Sequence, residues 1–151
     1  MGADRTVRRA TTGGERADAL AVRRRVFVEE QGVPADLERD DHDDDPGTVH
    51  FVAYRDGEPI GAARLRPVGP ATGKVERVAV LSRVRGEGLG RALMDAVEST
   101  AAAEGLATLT LHAQRHVEAF YRRLGYETVS GEFAEAGIPH VEMEKPLPPP
   151  D

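Results

Sequence analysis

Apolar positions along the chain alternate between a period of two and a period near 3.6, and the switches mark out the elements. Thr6 to Ala10 alternates weakly and predicts a first strand. Thr11 or Thr12 can cap a helix over Glu15 to Phe27, with Ala19, Leu20, Val22, Val26 and Phe27 as its apolar face. Gly32 and Pro34 break that element and leave Val28 to Pro34 as a turn. The acidic run Asp36 to Asp45 reads as a solvated surface loop. Thr48 to Arg55 and Pro59 to Val68 are strands joined at Asp56-Gly57, a hairpin signal. Lys74 to Val80 is the next strand, and a helix from about Gly88 to Glu104 stops at Gly105. Ala107 to Ala113 alternates again. Strand, helix and strand form a crossover unit, so Lys74–Val80 and Ala107–Ala113 are expected to lie parallel and adjacent. Val117 to Leu124 is a short helix, and Tyr126–Val129 and Val141–Lys145 pair to close the sheet. Residues 147–151 are expected to form a frayed Pro-rich tail to a single domain spanning 1–146.

The stretch Val75 to Leu93 carries the clearest chemistry. A β-branched strand leads through Leu81–Val84 into Arg85-Gly86-Glu87-Gly88-Leu89-Gly90-Arg91 and then an amphipathic helix. Glycines let backbone N–H groups approach an anion, and a helix start adds unpaired donors and a positive dipole end. Arg85 and Arg91 add charge. A P-loop would require Gly-Lys-Ser/Thr, and no lysine lies in this loop. A dinucleotide fingerprint would require G-x-G-x-x-G directly after the strand, whereas a linker intervenes and the spacing is G-x-G-x-G.

What remains, R-x-x-G-x-G at Arg85, Gly88 and Gly90, resembles the acetyl-CoA pyrophosphate loop of the GNAT superfamily of N-acetyltransferases. Leu109–Gln114 resembles that superfamily's strand beside the cofactor, and Ala119-Phe120-Tyr121-Arg122-Arg123-Leu124-Gly125-Tyr126 its F-Y-x-x-x-G-F/Y helix. Val26–Pro34 and Glu135–His140 look like the YjcF/ElaA-like branch. The resemblance covers Arg23 to Lys145. It implies an α/β (α+β) fold with a mixed, mostly antiparallel twisted sheet of six or seven strands flanked by helices. The central parallel strands would splay apart around acetyl-CoA. By the same resemblance, Val78 and Val80 bond the pantetheine arm, and Arg85, Gly86, Glu87, Gly88, Leu89, Gly90 and Arg91 hold the diphosphate. Gln114 and Phe120 flank the arm, although the family often has asparagine at the position of Gln114. Valine at Gly88 or Gly90 is expected to obstruct the phosphates and leave the fold intact.

Composition narrows the partners. The net charge of -6 argues against nucleic acid, and the only lysines are Lys74 and Lys145. The absence of cysteine excludes disulfides, thiolate zinc sites and a thiol nucleophile. No apolar run approaches the length of a membrane span, so a soluble cytoplasmic protein with no membrane partner is expected. Met1-Gly2 with Thr6 formally fits a myristoylation signal, though the match is short. The acidic run fails as an EF-hand: counting twelve from Asp40, Asp41 or Asp43 reaches Phe51, Val52 or Tyr54, never the required glutamate. Scattered histidines argue against zinc, so no metal is expected. The sequence is compatible with a homodimer.

Direct transfer from a thioester to an amine needs a neutral amine, a polarised carbonyl and a protonated leaving thiolate. An amine with a pKa of about 10 is mostly charged at neutral pH, so a base or water chain is required. By its match to the family tyrosine, Tyr121 is the candidate acid; otherwise it is a core residue beside Phe120. Glu76 is the candidate base because alternation puts it on one strand face with Val78 and Val80, near the expected acetyl group; otherwise it is a carboxylate paired with Arg64 or Arg66. Glu29, Glu30 and Gln31 sit on the loop expected to roof the acceptor, and His140 can line that pocket or relay a proton. If these acids converge near the acidic loop, the acceptor is a cationic amine, unless Arg64, Arg66 and Arg77 neutralise them. The expected function is acetyl-CoA-dependent N-acetylation of a primary amine on a small molecule or peptide. The alternative from another class is a CoA-binding sensor or interaction module with little turnover. Against that alternative stands Tyr121, since a binder needs no acid; a generic nucleotide-binding domain would want the missing lysine and ribose-binding acid.

Overall fold

The computed structural model describes residues 4–149, so the Met1-Gly2 signal and the last two residues of the tail lie outside the described residues. Its elements are β1 (Arg5–Arg9), α1 (Gly13–Arg23), α2 (Ala35–Glu38), β2 (Val49–Arg55), β3 (Glu58–Pro67), β4 (Thr72–Val80), α3 (Leu89–Ala103), β5 (Thr108–Gln114), α4 (Glu118–Arg123), β6 (Glu127–Thr128), β7 (Phe133–Glu135) and β8 (Ile138–Pro146). One eight-stranded sheet runs β1-β2-β3-β4-β5-β8-β6, with β7 also on β8. All its pairs are antiparallel except β4 with β5. This is the expected mixed sheet, with one strand more than the upper expectation because Phe133–Glu135 pairs with the early part of β8.

Helix α3 covers one face of the sheet and α1 the other. On the α3 side, a Cβ at Gly61 would lie 3.0 Å from Leu93 and 3.2 Å from Leu89, so glycine there lets the helix pack directly on β3. Thr12 caps α1, accepting from the Glu15 N–H while Glu15 reaches back to the Thr12 backbone, a complete capping box. The helix does not end at Phe27. It continues as a π-helix over Arg24–Glu30, with the Gln31 N–H bonding the Val26 carbonyl at 3.1 Å. Short π segments recur at functional sites, and this one carries Glu30 and Gln31 past the point where a turn was expected.

Two further expectations are corrected. The acidic run is solvated only in part: Asp36, Asp41, Asp44 and Asp45 are exposed, but the run forms α2 and a 3-10 turn at Asp41–Asp44, and Glu38 and Asp43 are buried. Arg23, fully buried on α1, holds Glu38 at 2.7 Å and Asp43 at 2.6 Å. Spacing along the run could not reveal those partners, which come from α1 and the sheet. The start of the Pro-rich tail is also docked, because Leu147 is buried and its N–H bonds the Ala107 carbonyl at 2.8 Å.

The central opening is set by where one ladder ends. Strands β4 and β5 pair only from Thr72↔Thr108 to Val75↔Leu111, and the rest of each strand diverges. Beyond Val75, β4 therefore presents backbone donors and acceptors with no β5 partner. A β-bulge sits at the same point: the register with β3 jumps from Ala62↔Ala79 to Arg64↔Glu76, and Arg77 takes a positive φ of 58°. Cross-strand partners share a face, so Val75 (opposite Leu65) and Val80 (opposite Gly61) both face α3 although five apart. Glu76 and Ala79 face α1.

Candidate active site

The glycine loop is a ready anion cradle. Gly86 and Gly88 adopt φ of 81° and 82°, and Gly88 is the N-cap of α3. The N–H groups of Gly86, Glu87, Gly88, Leu89, Gly90 and Arg91 have no acceptor among the described residues. Successive free donors at the start of a fifteen-residue helix, with its positive dipole end, make the anion site expected from the sequence. Glu87 plays an additional part: its carboxylate takes Arg55 at 2.8 Å and its carbonyl takes Arg5 at 2.9 Å, which ties the loop to β1 and β2. Arg91 is exposed and unpaired among the described residues.

Gly90 does a different job from Gly88. It lies inside α3, and a Cβ there would come within 3.1 Å of Phe120 Cζ. Valine at Gly90 would thus displace Phe120, whereas at Gly88 the space is open and the cost is the strain of a positive φ. This close approach brings α4 against the first turn of α3. Phe120 in turn packs edge-on to Tyr121 with ring centroids 5.0 Å apart, and Tyr121 to Tyr126 at 5.9 Å. The Tyr121 ring is buried, and burial pushes its phenol well above the ordinary value, so the O–H is kept at neutral pH. Its hydroxyl bonds no described residue, yet it is not among the enclosed polar atoms left unpartnered. Tyr126, by contrast, donates to Glu98 at 2.9 Å.

The end of the π-helix touches both lips of the opening. Gln31 and Gln114 exchange side-chain amide bonds of 2.9 and 3.3 Å, and Glu30 takes Arg85 through two bonds of 2.6 and 2.7 Å. Arg85 also donates to the Val80 carbonyl at 3.0 Å, so that carbonyl is already engaged. Gln114 is the register partner of His140. The His140 Nδ1 lies 2.7 Å from the Ile138 carbonyl, which can only accept, so Nδ1–H donates there and Nε2 is the ring nitrogen left outside that bond. Phe133 stacks on its ring, and Glu135 lies 3.7 Å from Nε2.

Glu76 does not join this group. The bulge at Arg77 turns it to the α1 face, away from Val78 and Val80, which corrects the shared face expected from simple alternation. Its carboxylate takes Arg66 at 2.6 Å and Arg64 at 2.8 Å, with Lys74 at 3.5 Å. Burial alone would raise its pKa, but the Arg66 and Arg64 guanidiniums outweigh that and hold it at about 2. So clamped, it is a structural anion and a poor proton acceptor. Nor do the acids converge on one pocket: Glu29 is exposed with Arg24 at 3.8 Å, Glu30 is bound to Arg85, and Asp40 and Asp43 are taken by Arg64, Arg77 and Arg23. The neutralisation by Arg64, Arg66 and Arg77 is what the structure contains. Among the described residues no cluster of His, Asp and Glu could hold a metal ion, and no helix is long and apolar enough to cross a membrane.

Comparison with known proteins gives the family and the fold. Residues 11–147 match the GNAT acetyltransferase domain. The chain is 42% identical over 129 residues to the uncharacterized N-acetyltransferase YjcF of Bacillus subtilis, covering 85% of this chain and 90% of that protein. An acyl-CoA N-acyltransferase from Pseudomonas aeruginosa superposes with a TM-score of 0.83 and 33% identity, over 95% of this chain and 99% of its own. Escherichia coli ElaA gives the same TM-score of 0.83 at 24% identity, covering 95% and 99%, a likeness of fold.

Proposed function

Since this chain belongs to the GNAT acetyltransferase family, we propose that it transfers an acetyl group from acetyl-CoA directly to a primary amine of a small molecule or peptide. One observation carries the donor half of this reading: the run of free N–H groups from Gly86 to Arg91 beside the divergence of β4 and β5. Those donors suit a diphosphate, and the edge of β4 beyond the β5 ladder, open at Val78 and at the Val80 N–H while Arg85 holds the Val80 carbonyl, suits an amide-bearing arm that pairs as a strand would. The acyl-CoA named for the Pseudomonas aeruginosa relative supports the same donor class.

Acetyl-CoA supplies an activated thioester and a thiolate leaving group. Tyr121, protonated at neutral pH and free of partners, gives its proton to the departing sulfur. His140 takes the role first assigned to Glu76: with Nδ1–H held by Ile138, Nε2 receives the proton lost by the attacking amine, directly or through water. Gln31 and Gln114 supply neutral polar contacts between the two lips, and Glu30 is the chain neighbour of Gln31. His140→Gln is expected to lower kcat by about a hundredfold while CoA affinity stays within about twofold, measured by steady-state kinetics and calorimetry.

The deciding experiment is calorimetric titration with CoA, followed by an amine panel scored by CoA release. Gly88→Val is expected to weaken CoA binding by at least about tenfold, because a β-branched residue at φ 82° costs on the order of 1–3 kcal/mol of strain and distorts the cradle. The space around Gly88 is open, so the variant is expected to fold. Unchanged affinity in folded Gly88→Val would remove the diphosphate assignment. CoA binding with no turnover on any amine would favour the sensor reading instead.

A further inference from the structure

Arg85 has more acceptors than its position in a phosphate loop requires. Its Nη1 and Nη2 form a two-pronged pair with the Glu30 carboxylate, and its Nε bonds the Val80 carbonyl. Glu30 ends the π-helix that carries the roof of the opening, and the next residue, Gln31, is tied to Gln114 on the opposite lip. The roof is therefore fastened to β4 through an ion pair and to β5 through an amide pair. A forked, doubly bonded carboxylate is the geometry with which guanidinium also grips a phosphate, so the two anions compete for one set of donors.

We infer that Glu30 is a positioning residue that competes with the cofactor diphosphate for Arg85, so that cofactor binding frees Glu30 to receive the positive charge of the incoming amine. This rests on the cofactor reading above and adds a coupling between donor loop and acceptor roof. The coupling follows from charge balance. With Arg85 turned to a diphosphate, Glu30 becomes an unpaired carboxylate beside Gln31, and an ammonium group is the counter-ion that restores the balance. With Arg85 on Glu30, that acid is satisfied and offers an amine little. Linkage makes the effect mutual, and each ligand strengthens the other. Both side chains are about two-fifths exposed, so the competition is modest in size.

Glu30→Gln tests this directly. CoA affinity of the variant, measured by calorimetry, is expected to rise roughly two- to fivefold, the scale of an exposed ion pair. The KM for a cationic acceptor is expected to rise with kcat little changed. In an Arg85→Gln background the same substitution is expected to leave CoA affinity unchanged, because the contested group is gone. Glu104→Gln, which removes an equal charge from beyond the far end of α3, separates the local effect from net charge and is expected to leave CoA affinity as it was. Unchanged or weaker CoA binding by folded Glu30→Gln overturns the inference, as does a gain that persists without Arg85 or is matched by Glu104→Gln. A parent protein that fails to bind CoA at all would instead overturn the cofactor reading, and this inference with it.

Discussion

Replacing Tyr121 with phenylalanine is expected to lower kcat by about a hundredfold or more while CoA affinity changes by less than about twofold. The split follows from what the residue touches. Its ring sits between Phe120 and Tyr126 in the core and is retained by phenylalanine, so packing and the approach of α4 to Gly90 are preserved. Its hydroxyl bonds no described residue, so its loss leaves no protein group unsatisfied. What disappears is a phenolic proton, on the oxygen at neutral pH as in any tyrosine and held there the more firmly by burial, that passes to a departing thiolate. Steady-state and single-turnover kinetics on the best acceptor, with calorimetry for CoA, read the two quantities separately. A phenylalanine variant that turns over like the parent would make Tyr121 a packing residue alone.

The second large effect concerns stability. Arg64 is fully buried and bonds Asp40 at 2.8 Å, Asp43 at 2.9 Å and Glu76 at 2.8 Å, so one side chain joins the acidic segment to β4. Arg64→Met is expected to destabilise the protein by about 3–5 kcal/mol, the cost of leaving buried carboxylates undercompensated. The acid limb carries a matching signature. Glu76 titrates at about 2 in the folded chain against an ordinary 4.5, so its contribution is complete above pH 4.5 and is lost as pH falls towards 2. Burial pushes Asp43 the other way, but Arg23 and Arg64 overcome it and hold Asp43 well below the usual carboxylate range, adding to the same limb. Urea unfolding from pH 6 to pH 3 is expected to show the parent losing stability, with a shallower slope in Glu76→Gln. An equal slope in that variant would mean Glu76 is not held down by its arginines.

Local patterning by itself determined the order of the main strands and helices, α2 and β7 excepted, together with the glycine loop and the crossover from β4 through α3 to β5. Each of these depends on neighbours in sequence: the 3.6-residue stripe of Leu89, Leu93 and Val97, the alternation of Leu109 and Leu111, and glycines at Gly86 and Gly88 where the backbone needs a positive φ. The matching family motifs at Arg85–Gly90 and Phe120–Tyr121 likewise lie within single stretches. Tertiary structure alone decided the rest. A bulge inserts one residue without altering composition, so nothing along β4 announces that Arg77 turns Glu76 away from Val80. An acidic run reads as solvated until Arg23 and Arg64 arrive from α1 and β3, because burial of charge depends on partners distant in sequence. The pairing of Glu30 with Arg85, fifty-five residues apart, was equally invisible. Periodicity reports which way a side chain faces from its own element; which charges meet is set by how the elements pack.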